Sequence, residues 1–244
     1  MTRGARACIC VAMNSISETL ALPQGLTPVR WRRSPRARRV SIRIDARGGA
    51  VIVTLPMRAG RAAGIALLMD HAGWVADRLA ALPDAIAFRD GNEVPLSGEF
   101  MRIRHRPLGR RGVWLEDGAI NVSGELEHLP RRTADFLRAE ARRRLGAHVR
   151  AKAALAGLVP RRLVVKDTRS RWGSCTPDGT LMFCWRLVMA PEFVQDYVAA
   201  HEVAHLRHLN HGKRFWSLVN RLTPHTEEAV LWLRECGAGL LRIG

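Results

Sequence analysis

The residues best placed to do chemistry are His201-Glu202-Val203-Ala204-His205. On a helix, positions i and i+4 share a face, with their first side-chain carbons about 5–6 Å apart, so both imidazoles can reach one ion. Glu202 follows the first imidazole and would stand beside the point where water meets that ion. Zinc lowers the pKa of such a water to about 7, and a neighbouring carboxylate can take its proton as it attacks a carbonyl. The spacing therefore points to metal-assisted hydrolysis, with Glu202 as general base.

A hydrolytic zinc site needs a third protein ligand and keeps its fourth position open. His208 is badly spaced for that task, because it would lie about 10.5 Å beyond His201 along a straight helix. The chain must leave the helix and return. Asn210 and Gly212 favour such a turn, and His211 between them is the candidate third ligand. Glu227 or Glu228, on a later helix, is the alternative, since a carboxylate completes many zinc sites.

The helix that carries the pair is predicted to begin near Pro191, a residue suited to a first helical turn. It then runs without glycine or proline to about His208. Val194, Tyr197, Val198, His201 and His205 recur at steps of three and four residues, so the imidazoles emerge from an apolar, core-facing stripe. Tyr197 is read as a packing residue, and so are Phe215 and Trp216 behind the third ligand.

Other elements follow from periodicity. Val40–Ile44 and Val51–Leu55 read as strands about a Gly48-Gly49 turn, followed by a helix over 59–82. Val94–Leu96, Met101–Arg104, and a hairpin of Val113–Leu115 with Ala119–Val122 about Asp117-Gly118 complete a strand-rich section. Thr133–Ala156 is a long amphipathic helix, and Leu163–Val165 and Met182–Trp185 are strands joined through Thr176-Pro177-Asp178-Gly179. Helices over 213–222 and 227–241 close the chain. The expected organisation is a flexible tail over 1–26, a β-rich N-terminal domain over 27–125 and a catalytic domain over 130–244.

Together, Arg171-Trp172-Gly173-Ser174-Cys175, Trp185-Arg186-Leu187, His201-Glu202-Val203-Ala204-His205, Asn210-His211 and Phe215-Trp216 resemble the YgjP-like metallopeptidases, a group related to the SprT-like proteases. The resemblance spans roughly residues 30–240. It implies an α+β, zincin-like fold with the metal helix against a small sheet, zinc on His201, His205 and His211, and Glu202 as base. The spacing also equals the long metzincin pattern, but His208 replaces its glycine and no Met-turn follows, so that relationship is rejected. A sheet edge beside the metal can hold an extended peptide by backbone pairing. Arg171, Trp172, Gly173 and Ser174 are therefore candidate substrate-binding residues, although Trp172 in the core and Gly173 as a bulge fit equally well.

Composition agrees with a soluble enzyme. The chain has 244 residues, of which 47% are hydrophobic, enough for a substantial core. No run approaches the length of a membrane span. The segment Ala7–Met13 imitates the apolar part of a signal peptide, but it is short and lacks a clear cleavage site. Five cysteines without CxxC spacing suit a reducing cytoplasm, and Cys175 and Cys184 are not expected to pair.

The net charge is +17 and almost all of it is arginine. Arg30, Arg32, Arg33, Arg36, Arg38, Arg39, Arg43 and Arg47 form one cluster, and Arg138, Arg142, Arg143, Arg144, Arg150 and Lys152 another. Such density attracts nucleic acid, anionic lipid or acidic protein, yet no interleaved aromatics support base stacking. A metal-dependent nucleotide pyrophosphohydrolase and a nucleic-acid-associated zinc-binding module are therefore the alternatives to a peptidase. No phosphate-binding loop supports the former. The oligomeric state is not legible.

Overall fold

A computed structural model describes residues 16–244, so the signal-like segment Ala7–Met13 lies outside the described residues. The fold is mixed α+β and divides into two compact units, the first ending at Leu82 and the second running from Pro83 to Gly244.

In the first unit, β1 (Ile16–Leu22) pairs antiparallel with β2 (Gly25–Ser34). Residues 16–26 of the expected tail are instead part of a sheet: Gly25, at φ 125°, permits a tight reversal that makes residues 16–34 a hairpin. β3 (Ser41–Asp45) and β4 (Ala50–Pro56) complete a sheet in the order β1-β2-β4-β3. The predicted helix over 59–82 is two helices, α1 (Arg61–Asp70) and α2 (Ala72–Ala80), broken at His71. Val29, Trp31, Val51, Val53, Leu55, Leu68 and Val75 form the core between sheet and helices.

The second unit begins with β5 (Glu93–Leu96), β6 (Glu99–Arg106), β7 (Val113–Glu116) and β8 (Ala119–Ser123), in the order β5-β6-β8-β7. Asp117 and Gly118 both take positive φ, 48° and 64°, the type I′ geometry anticipated for that hairpin. This sheet belongs with the later helices rather than with an N-terminal domain reaching residue 125. Its inward residues Val94, Leu96, Ile103, Ile120 and Val122 share one core with Leu137, Leu145, Val198 and Val203. Strand periodicity reveals that these residues are buried but not which surface buries them.

α3 (Leu129–Ala156) starts with Pro130 in its first turn and ends at Gly157, which is left-handed at φ 62°. A second small sheet holds β9 (Arg162–Lys166), β10 (Gly173–Cys175) and β11 (Thr180–Cys184), in the order β10-β11-β9. Residues Trp185–Met189 form a buried 3-10 turn where the sequence suggested strand to Trp185. α4 (Glu192–His205), α5 (Lys213–Leu222) and α6 (Thr226–Leu240) follow.

Two buried cations brace this unit. Lys152 of α3 bonds the Asp196 carboxylate of α4 at 2.6 Å and the Leu222 carbonyl at the end of α5 at 2.8 Å. Burial works to raise the Asp196 pKa, but hydrogen bonds from His148, Lys152 and Thr223 hold it well below the usual carboxylate range. Arg186, 1% exposed, lies over the Trp185 ring and bonds Asp167 and the Ile243 carbonyl. No helix among the described residues is long and apolar enough to cross a membrane.

Candidate metal centre

α4 presents its apolar stripe to the core, with Val194, Val198 and Val203 buried, and brings His201 and His205 half-buried to its C-terminal end. Helical geometry stops at His205, and residues 206–212 carry the chain round so that exposed His211 faces the pair. One ligand nitrogen from each imidazole lies within 4.8 Å of the others, and Nε2 of His201 and His211 are 3.2 Å apart. A tetrahedral zinc with bonds of about 2.1 Å requires ligand separations of roughly 3.4 Å. The three nitrogens thus stand close to a zinc coordination shell. Glu227 and Glu228 are not part of this group, and Glu228 lies instead against His225 at 3.8 Å.

Two neighbours orient the rings. His205 Nδ1 is 2.9 Å from the His208 carbonyl oxygen, so Nδ1–H donates there and the Nε2 lone pair faces the group. His208 therefore contributes through its backbone, which no side-chain pattern could reveal. Phe215, fully buried on α5, lies against all three imidazoles, with centroids 4.9, 4.5 and 4.7 Å from His201, His205 and His211. Trp216 flanks His201 and His211 at 5.8 and 5.9 Å, and Tyr197 meets His201 edge-on at 5.8 Å.

The electrostatics suit a cation. Burial, and then the charges of His205 and His211, push His201 down to about 4, so its ring is neutral at pH 7 with a lone pair to give. His205 is lowered too, chiefly by burial. Burial pushes the Glu202 carboxyl up to about 8, against the opposing charge of Arg171. A dication on the adjacent imidazoles would act in the same direction as Arg171 and favour the carboxylate. Glu202 Oε2 and His201 Nδ1 are buried without a hydrogen-bond partner among the described residues. An unpaired carboxylate oxygen beside a cluster of imidazoles is what a metal-bound water would satisfy.

The family model described as "YgjP-like, metallopeptidase domain" matches residues 38–236. The chain belongs to the YgjP-like family. No curated protein and no solved structure matches it. The family's description is that of a metallopeptidase, a class of hydrolase, and the chain's three-imidazole group could hold a metal.

Gly173 and Ser174 belong to β10, an edge strand, and Arg171 and Trp172 directly precede it. A Cβ on Gly173 would lie 2.4 Å from Glu202 Oε1 and 2.6 Å from its Cγ, so the glycine lets the carboxylate sit against the strand. The close approach is made by Glu202 rather than by a ligand, and the glycine within a strand was the signal for it. Trp172 is half-buried and rests on α6, where a Cβ on Gly237 would lie 3.2 Å from its ring. Its carbonyl accepts a hydrogen bond from Cys184 N–H at 2.8 Å, which extends the β10–β11 ladder. Cys175 faces Leu181 across that ladder, and Cys175 and Cys184 are both free thiols.

Gly173→Ala tests the contact. The added methyl must displace Glu202 by close to an ångström, and a misplacement of that size can cost about 10²-fold in rate. Turnover should fall by that order with metal content unchanged. Undiminished turnover in this variant would show that the position of Glu202 does not matter to catalysis.

Proposed function

We propose that this protein is a zinc-dependent peptidase in which His201, His205 and His211 hold the metal and Glu202 is the general base. One observation carries this reading: three imidazole nitrogens within 4.8 Å of one another, with a buried carboxylate on the same helix face-to-edge with strand β10. The zincin-like arrangement, a metal helix behind a small sheet, rests on the same contact between α4 and Gly173.

Zinc bound there supplies a Lewis acid and a water acidic enough to lose its proton near neutral pH. The rest falls to the chain. Glu202 accepts that proton and passes it to the leaving amine. Phe215 and the His208 carbonyl keep the three rings from turning as the reaction proceeds. The outer edge of β10, which pairs with no strand among the described residues, receives the peptide in extended form through Gly173 and Ser174. Arg171 keeps positive charge near the reacting carbonyl, and Trp172 braces the strand from the α6 side.

The free thiols Cys175, Cys184 and Cys236 agree with a reducing cytoplasm. The basic residues of α3 give less support to a nucleic-acid role than their number suggests. Arg138 pairs with Asp135, Arg143 and Arg144 with Glu140, and Lys152 with Asp196.

The test is a screen of peptide and nucleotide libraries with protein purified without chelator. Peptide cleavage that disappears on chelation and returns with zinc is the expected result. Metal-dependent turnover of nucleoside triphosphates with no peptide cleaved would replace the peptidase with a pyrophosphohydrolase.

A further inference from the structure

From Val203 to Thr226 the chain contains no aspartate or glutamate, although it crosses the end of α4 and the whole of α5. Arginine and lysine recur throughout that stretch. Arg207, His208, Lys213, Arg214, Ser217 and Arg221 line an open cleft of about 390 Å³ on the α5 surface. Lys213, Arg214, Ser217 and Arg221 follow helical steps of three and four residues, so they form one continuous side of α5. The opposite side of that helix carries Phe215, beneath the imidazoles.

Several arginines elsewhere in the second unit are neutralised by an acid. Arg102, Arg138, Arg143, Arg144 and Arg161 each have a carboxylate within 4.0 Å. Among the described residues, Arg207, Lys213, Arg214 and Arg221 have none. Arg207 donates to the Ala156 carbonyl at 3.0 Å, which anchors it without neutralising it. Lys213 and Arg214 also occupy the first turn of α5, which has no acidic residue and no side-chain cap. That end of a helix carries partial positive charge, so cations there are unfavourable unless an anion joins them. The fold thus maintains a concave, uncompensated positive site two residues beyond His211.

We propose that this cleft is an exosite for an acidic segment of the polypeptide substrate, held outside the catalytic centre by Arg207, Lys213, Arg214 and Arg221. The choice of a polypeptide rests on the peptidase reading above; the preference for an anion does not. Guanidinium groups pair with carboxylates through paired, charge-assisted hydrogen bonds. Apart from His208 the cleft has no aromatic ring on which bases could stack, which disfavours single-stranded nucleic acid. Its inner wall is continuous with the metal centre, because His208 lines the cleft while its carbonyl orients His205. An acidic stretch bound here would tether the substrate near β10 without touching the reacting bond.

The experiment reads binding rather than turnover, so it succeeds or fails independently of the peptidase assignment. The full chain carrying Glu202→Gln is titrated, by fluorescence anisotropy, into labelled poly-glutamate and into poly-glutamine of equal length. Poly-glutamate should bind in preference, with affinity that falls as salt rises. Arg214→Gln together with Arg221→Gln should weaken it about tenfold, in keeping with the loss of two largely exposed charge pairs. The same pair changed to lysine should lose less than the glutamine pair, because the charge is kept although the paired geometry is not, and zinc uptake should be unaltered in both. Equal binding of the two peptides would overturn the proposal. So would a loss that follows Arg36, Arg38 and Arg39→Gln instead of the α5 pair. Tighter binding of an oligothymidylate of equal charge through Arg214 and Arg221 would make the cleft a nucleic-acid site and overturn it as well.

Discussion

Glu202→Gln is expected to keep the fold and the zinc while lowering turnover by about 10²–10⁴-fold, the usual contribution of a positioned general base. The amide has the size and shape of the carboxylate and fits the same space against Gly173. It cannot accept a proton. The substitution also removes a buried ionisable group whose pKa burial has pushed up to about 8, so the metal-free protein should not become less stable. A thermal melt of the metal-free protein that is unchanged or raised, alongside intact zinc stoichiometry and lost activity, would isolate the chemical role. Wild-type turnover in this variant would reduce Glu202 to a structural residue and remove the mechanism proposed here.

The second large effect is expected at the third ligand. His211→Ala leaves two imidazoles and should weaken zinc binding by more than the roughly 10–100-fold typical of a lost outer-shell partner. His211 is exposed, so little packing is lost with its ring. His208→Ala should leave affinity nearly unchanged, because the atom that orients His205 is the His208 backbone carbonyl, which alanine retains. Glu227→Gln and Glu228→Gln should also be neutral. Competition against a chromophoric chelator gives each affinity directly. A strong effect at His208 or Glu227 with none at His211 would overturn the ligand set.

Much of the site was legible in the residues alone because its logic is local. The His201–His205 spacing, the apolar stripe behind it and the turn residues around His211 all act within a dozen residues or so, where helical geometry leaves few alternatives. The same holds for the Asp117-Gly118 hairpin, since only certain residues accept positive φ at both positions. Locality is also why the long helix ending at Gly157 could be placed.

What the tertiary structure decided are matters of partnership, which periodicity does not encode. Strands β5–β8 alternate as the sequence says, yet their buried faces join α3 and α4 rather than the sheet that precedes them. Gly173 was visible as a glycine in a strand; only the packing of α4 on β10 shows that Glu202 needs the space. Lys152 looked like one more charge in a basic cluster, but folding places it beside Asp196 in the interior. Conversely, the cations of α5 drew no notice in a chain rich in arginine. They stand out because folding gathers them around one cleft; a charge acquires meaning from what lies within a few ångströms of it, and that distance is set by the fold.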